Sequence, residues 1–304
     1  MKNNRWKSAE LRNAMMVSTF FFLWLAIFFG ESVEEVLAFT LIFSFGILHG
    51  ANDLEILRRK GIGGNQKRTG LSILAAYIGF VGLSALLFYL LPILALSLFI
   101  AFSAYHFGEQ HWVKRKGNSK RLQKLLYLTY GLVVLFLLFY AHRAEVSEII
   151  YDISGYAPPG DWIAYILFGS FLLFLTLAFS NFYISQFLRY ILRELLLLGL
   201  FFVVFNTASL LWAFAIYFVV WHSIPSLADQ VRLLYGNISL KSGKKYLKAS
   251  AIYWIGALFT LALAFMFLKD SEYGYLPLFF SFLAAITFPH VLVITRLYGN
   301  QDKA

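Results

Sequence analysis

Apolar residues run along most of this chain in stretches of about twenty, broken by short polar segments. Stretches such as Met15 to Gly30 and Leu71 to Leu91 are about as long as a ~30 Å hydrocarbon layer requires of a helix. The pattern predicts ten spans, at about residues 14–30, 34–57, 70–91, 93–112, 122–142, 162–180, 186–206, 208–231, 247–268 and 275–297. Pro92 separates the third from the fourth, and Pro158-Pro159-Gly160 marks the loop before the sixth. The expected architecture is all-α, a polytopic transmembrane bundle of about ten spans forming a single integral membrane domain over residues 1–304.

Charge tests this division. With the N-terminus in the cytoplasm, every basic residue except Arg143 and Lys269 falls in an inner segment, as the positive-inside bias requires. The outer segments collect Glu31, Glu34, Glu35, Glu145, Glu148, Asp152, Asp161, Asp270 and Glu272. Gln186, Arg189 and Arg193 make the seventh span the weakest, with an amphipathic character of its own. The basic first segment leads into an apolar run without a small-residue cleavage signature, which reads as a retained span. The expected location is the inner cell membrane, crossed many times.

Composition narrows the chemistry. Of 304 residues, 60% are hydrophobic and only 14% charged, against about 25% charged in a soluble domain. The mean hydropathy of +0.69 points the same way. The net charge of +10 follows from the basic inner loops and calls for no nucleic acid. There is no cysteine, which excludes disulfides, iron–sulfur clusters and thiolate-ligated haem, and leaves nitrogen and oxygen as metal ligands. No Gly-rich phosphate loop, Gly-x-Ser-x-Gly or His-Glu-x-x-His occurs.

Against this apolar background four histidines stand out, because ionisable groups inside membrane helices are costly and usually functional. His49 lies nine residues before Arg58, His106 eight before Lys114, His222 ten before Arg232 and His290 six before Arg296. At ~1.5 Å per residue these offsets agree within about two helical turns. All four sit on spans that run outward to inward, so four parallel helices present imidazoles at one depth, which suits a single metal centre handling a lipid-soluble substrate. His142, at the outer end of the fifth span, is excluded by position.

The local contexts add candidates. In His49-Gly50-Ala51-Asn52-Asp53, His49 and Asp53 share a helical face, and Gly50 and Ala51 permit close approach of a neighbouring helix. Asp53 is a candidate ligand or acceptor of an imidazole N–H, and the plain alternative is a His–Asp pair satisfying itself near the headgroups. His106 and Glu109 share a face in Ser103 to Trp112, whereas His111 and Trp112 read as residues of the interfacial belt. Pro225 follows His222 and Pro289 precedes His290; proline frees a backbone carbonyl and bends a helix, which opens space beside a site. Tyr105, Phe107, Trp221 and Phe288 are candidates for a polyene pocket, although most aromatics here are lipid-facing or core residues.

At these residues the chain resembles the Brp/Blh family of membrane β-carotene 15,15′-dioxygenases. The likeness rests on His49-Gly-Ala-x-Asp53, Ser103-Ala-x-His106-Phe-Gly108, Trp221-His222-Ser223 and Pro289-His290, in order and across nearly the whole chain. It implies an Fe(II) enzyme that cleaves the central double bond of β-carotene with dioxygen to give two all-trans-retinals, with His49, His106 and His222 as ligands. It also implies a functional link to retinal-binding opsins. The chain departs at Ser226, where family members carrying a second histidine after Trp-His-Ser place a ligand. His290 is the choice by depth to complete the site, with Asp53, Glu109 and His111 behind it. Two other readings compete: a non-enzymatic carrier or carotenoid- and metal-binding protein, and a bis-histidine haem protein that would use only two of the four histidines.

Overall fold

The computed structural model describes residues 3–60, 70–113, 115, 117–268 and 274–301. Parts of the basic inner segments, including Lys67, Arg68, Lys114 and Lys116, lie outside them, as do Lys269 and Asp270. The described residues form helices joined by short turns, with no strand among them. That is what a lipid solvent demands, since each backbone N–H and C=O must be paired within its own segment.

Nine helices among the described residues are long and apolar enough to cross a membrane. They are α1 (Asn3–Phe28), α2 (Glu31–Arg59), α3 (Gly70–Leu90), α4 (Pro92–Trp112), α5 (Lys120–Ala141), α7 (Trp162–Asn181), α9 (Leu210–Tyr235), α10 (Leu240–Leu268) and α11 (Tyr275–Gln301). Two helices remain, α6 (Arg143–Ser154) and α8 (Ile184–Thr207). α8 coincides with the seventh of the ten expected spans, 186–206. Its position explains how it carries charge. It begins just after Asn181, which receives Asn118 and Ser119 of the inner α4–α5 turn. It ends before Ser209, whose N–H donates to buried Glu34 at the outer start of α2. α8 thus runs the full height of the bundle. Its Glu194 is buried against His111 at 2.6 Å, Arg115 at 2.6 Å and the Tyr130 hydroxyl at 2.9 Å. His111, expected as a belt residue, is one of the hydrogen-bond partners of this carboxylate.

Helix α9 is the axis of the bundle, with 78% of its most apolar window buried against 11% in α1, α3 and α10. The Trp212 indole N–H donates to Phe22 O and that of Trp221 to the Thr19 hydroxyl, so α1 runs antiparallel to it. α4 and α5 meet through two glycines: a Cβ on Gly108 would lie 1.8 Å from Tyr127 O, and one on Gly131 1.8 Å from Ala104 O. The backbones touch there, and the contact fixes the α4–α5 register.

The four histidine-bearing helices are parallel. Phe39 and Phe43 of α2 face Phe279 of α11, and Asp53 faces His290. Phe102, His106 and Glu109 of α4 meet Phe288, His290 and Thr295 of α11 in the same order. Helix α6, which the hydropathy pattern did not separate from a loop, follows α5 at the outer end and turns Val146, Ile149, Ile150 and Ile153 toward the interior of the bundle.

Candidate metal centre

Two of these helices are not regular α-helices where the histidines sit. α2 contains a π-helical segment over Ile42–Gly46, a return to α-helix over Ile47–Gly50, and a turn at Ala51-Asn52 before Asp53. α9 is π-helical over Ile216–Ser223, which includes His222, and Pro225 follows. Such insertions alter the direction of side chains and cluster at functional sites. Side chains satisfy the carbonyls nearby: Gln110 donates to His222 O at 2.9 Å and Gln230 to His49 O at 2.9 Å.

The four imidazoles form a closed square. Ring centroids lie 5.0 Å apart for His49–His222, 4.8 Å for His222–His106, 5.2 Å for His106–His290 and 4.7 Å for His290–His49. Neighbouring planes are near perpendicular, between 77° and 88°. All four residues are at most 4% exposed. The tightest set is His49, His222 and His290, whose candidate ligand atoms all fall within 4.8 Å of one another. His106 lies outside that set and closes the square from α4.

The hydrogen bonding prepares these rings for a cation. His49 donates from Nδ1 to Gly46 O, and His290 from Nδ1 to Asp53 at 2.9 and 3.1 Å. Each bond fixes one tautomer and leaves Nε2 with its lone pair. Among the described residues, His49 Nε2, His290 Nε2, His222 Nδ1 and both nitrogens of His106 are buried without a partner. Orphaned polar atoms are expensive in an apolar interior, and four neighbouring rings that each carry one fit a metal ion.

Asp53 does not pair with His49, its expected face-mate, but with His290 on α11. The turn at Ala51-Asn52 breaks the helix between them and removes the i, i+4 relation. The Tyr77 hydroxyl of α3 donates to the other side of Asp53 at 2.9 Å, a contact with no signal in the local sequence. Gly50 acts as anticipated, with His290 Nδ1 3.6 Å from where its Cβ would stand. Glu109 lies inward of the rings, accepting from Thr295 at 2.9 Å and Tyr105 at 3.3 Å. Ser226 is one turn inward of His222 and accepts from Gln230 at 3.1 Å, while Tyr246 donates to Gln230 at 2.7 Å.

On the outer side the square opens into a cavity of about 470 Å³. Its wall is almost wholly apolar and follows α4 from Leu96 to His106 and α11 from Phe280 to His290, about 15 Å of depth on each. The α6 isoleucines close the outer end. Ile78 of α3 and Ile252 of α10 also line it, yet are 60% and 73% exposed, so the cavity opens sideways between those helices toward lipid. Of the four aromatics expected in a pocket, only Phe107 lines it, packed 4.6 Å from the His222 ring. Tyr105 turns to Glu109, Trp221 to Thr19, and Phe288 packs on Phe102. Sequence neighbours on a helix project about 100° apart, so adjacency to a histidine is a poor guide to its pocket. Phe214, Phe218 and Phe280 supply the wall instead.

Fold and site together define a multi-pass membrane protein with a buried histidine group suited to a metal ion, at the floor of a lipid-facing cavity. The chain belongs to the β-carotene 15,15′-dioxygenase family, whose model matches residues 40–298. No curated protein and no solved structure matches it.

Proposed function

We propose that this protein is an iron(II) dioxygenase of the inner cell membrane that cleaves the 15,15′ double bond of β-carotene with dioxygen, giving two molecules of all-trans-retinal. The observation that carries the reading is the square of buried imidazoles, with nitrogens that lack partners, on the floor of an apolar cavity open to lipid. His49, His106, His222 and His290 would hold the metal. Four neutral imidazoles bring no charge of their own, and imidazole nitrogen suits iron as it does zinc, copper and nickel. When bound, iron supplies the activation of dioxygen that a carbon–carbon double bond needs.

The rest is done by the protein. Gly46 O and Asp53 keep the Nδ1 protons of His49 and His290 in place, so that neither ring must reorient. Phe107 and Phe218 pack on the rings and exclude water. The wall along α4 and α11 accepts one half of the polyene and leaves the central bond beside the histidines, while the opening between α3 and α10 admits the hydrocarbon from the bilayer. Opsin apoproteins are the functional partners, as acceptors of the retinal.

The test is dioxygen uptake by the purified, iron-loaded protein with β-carotene in detergent. One dioxygen consumed for each two retinals formed is the expected result. Stoichiometric iron with no uptake and no retinal would favour a carotenoid-binding or carrier role.

A further inference from the structure

Ser103 lies one turn before His106 on α4, is 3% exposed and lines the cavity. Among the described residues it is the one buried serine or threonine whose hydroxyl has no hydrogen-bond partner. A serine in a helix has a ready solution, the carbonyl four residues back. Buried hydroxyls of other spans take it: Ser84 donates to Phe80 O, Thr129 to Leu125 O and Ser250 to Tyr246 O. Thr287, which lines the same cavity, donates to Leu283 O at 2.6 Å. Ser103 leaves the equivalent bond to Phe99 O unmade and so carries the desolvation cost of its hydroxyl uncompensated. That cost is recovered only if something in the cavity accepts the bond.

We propose that the Ser103 hydroxyl donates a hydrogen bond to the aldehyde oxygen of retinal held in the cavity, making Ser103 a specificity-determining residue for the product. This inference rests on the function proposed above. A carotene is a hydrocarbon with no atom able to accept, so the hydroxyl gains nothing from the substrate. Oxygen leaves the cavity as the carbonyl of the cleaved chain, and that carbonyl forms where the histidines are. Ser103 and His106, three residues apart, share a face of α4, which places the hydroxyl one turn outward of the rings, on the side where the retained chain lies. Ser103 therefore discriminates aldehyde from hydrocarbon at the same position.

The test compares wild-type, Ser103→Ala and Ser103→Thr proteins, full-length, iron-loaded and kept free of dioxygen. All-trans-retinal and β-carotene are titrated into each, and affinity and the retinal absorption band are read. Ser103→Ala is expected to bind retinal roughly two- to tenfold more weakly, the range of one net hydrogen bond. It should lose the long-wavelength shift that hydrogen bonding gives the aldehyde, and bind β-carotene as wild type does. Ser103→Thr is expected to restore both. Equal retinal affinity and an unchanged band in Ser103→Ala would overturn the assignment, as would equal losses for both ligands, which would mean a packing role. A wild-type protein that binds neither retinal nor β-carotene would instead overturn the proposed function.

Discussion

Replacing Asp53 by asparagine isolates what the carboxylate does for the centre. Asp53 is 1% exposed and holds His290 Nδ1 through both oxygens, at 2.9 and 3.1 Å, with the Tyr77 hydroxyl at 2.9 Å behind it. Asparagine keeps the shape and one acceptor but loses the charge. A hydrogen bond to a charged acceptor contributes about 1.5–3 kcal/mol and a neutral one about 0.5–1.5 kcal/mol. The difference, about 1–1.5 kcal/mol, corresponds to a roughly five- to tenfold weaker hold on the metal. That agrees with the lower end of the ~10–100-fold losses seen when the outer partner of a ligating histidine is removed. Asp53→Ala, which leaves the His290 N–H unpaired as well, is expected nearer the upper end. The assay is iron affinity by competition with a chelator, on protein that remains monodisperse in detergent. Tyr77→Phe, which removes only a neutral donor to Asp53, is expected to weaken iron less than Asp53→Asn. An Asp53→Asn protein with iron affinity within about twofold of wild type would refute the orienting role and the tautomer argument for His290.

Gly108→Ala is expected to lower the thermal midpoint and the yield of folded protein, because its Cβ would overlap Tyr127 O at 1.8 Å and overpacking costs about 1–3 kcal/mol or more; a wild-type melting curve would contradict the close α4–α5 contact. His142→Ala is expected to keep wild-type iron content and turnover, since His142 stands at the outer end of α5 beside Glu145 at 3.4 Å; loss of iron would require a different centre. Ser226→Ala is expected to retain iron, with a stability loss of about 1 kcal/mol from the bond to Gln230; iron loss in this variant would make the hydroxyl a ligand.

The common depth of the histidines was legible in the sequence because two rigid quantities govern it. Basic residues mark the inner end of each span, and helical rise converts a residue offset into depth. The gathering of His49, His106, His222 and His290 into one square is what those offsets anticipate. Azimuth was less legible. The turn at Ala51-Asn52 shifts the phase between His49 and Asp53, so Asp53 meets His290 where an unbroken helix would set it beside His49. Tyr77 and Gln230 serve the site from positions that look like any other polar residue in an apolar run. α8 carries Arg189, Arg193 and Glu194, and the groups that pair with Glu194 come from α4, α5 and the turn between them, out of reach of a local hydropathy pattern. The short α6 has a half-apolar face too brief to read as a membrane span, and the cavity that face closes is made by distant helices.

The most direct test of the central claim is the iron content of the four single alanine variants, measured by mass spectrometry on purified protein alongside retinal formation in cells that accumulate β-carotene. Wild type is expected to carry one iron and to convert the carotene. His49→Ala, His106→Ala, His222→Ala and His290→Ala are each expected to lose both iron and retinal. Retention of full iron and wild-type retinal formation by these variants would contradict the proposed centre.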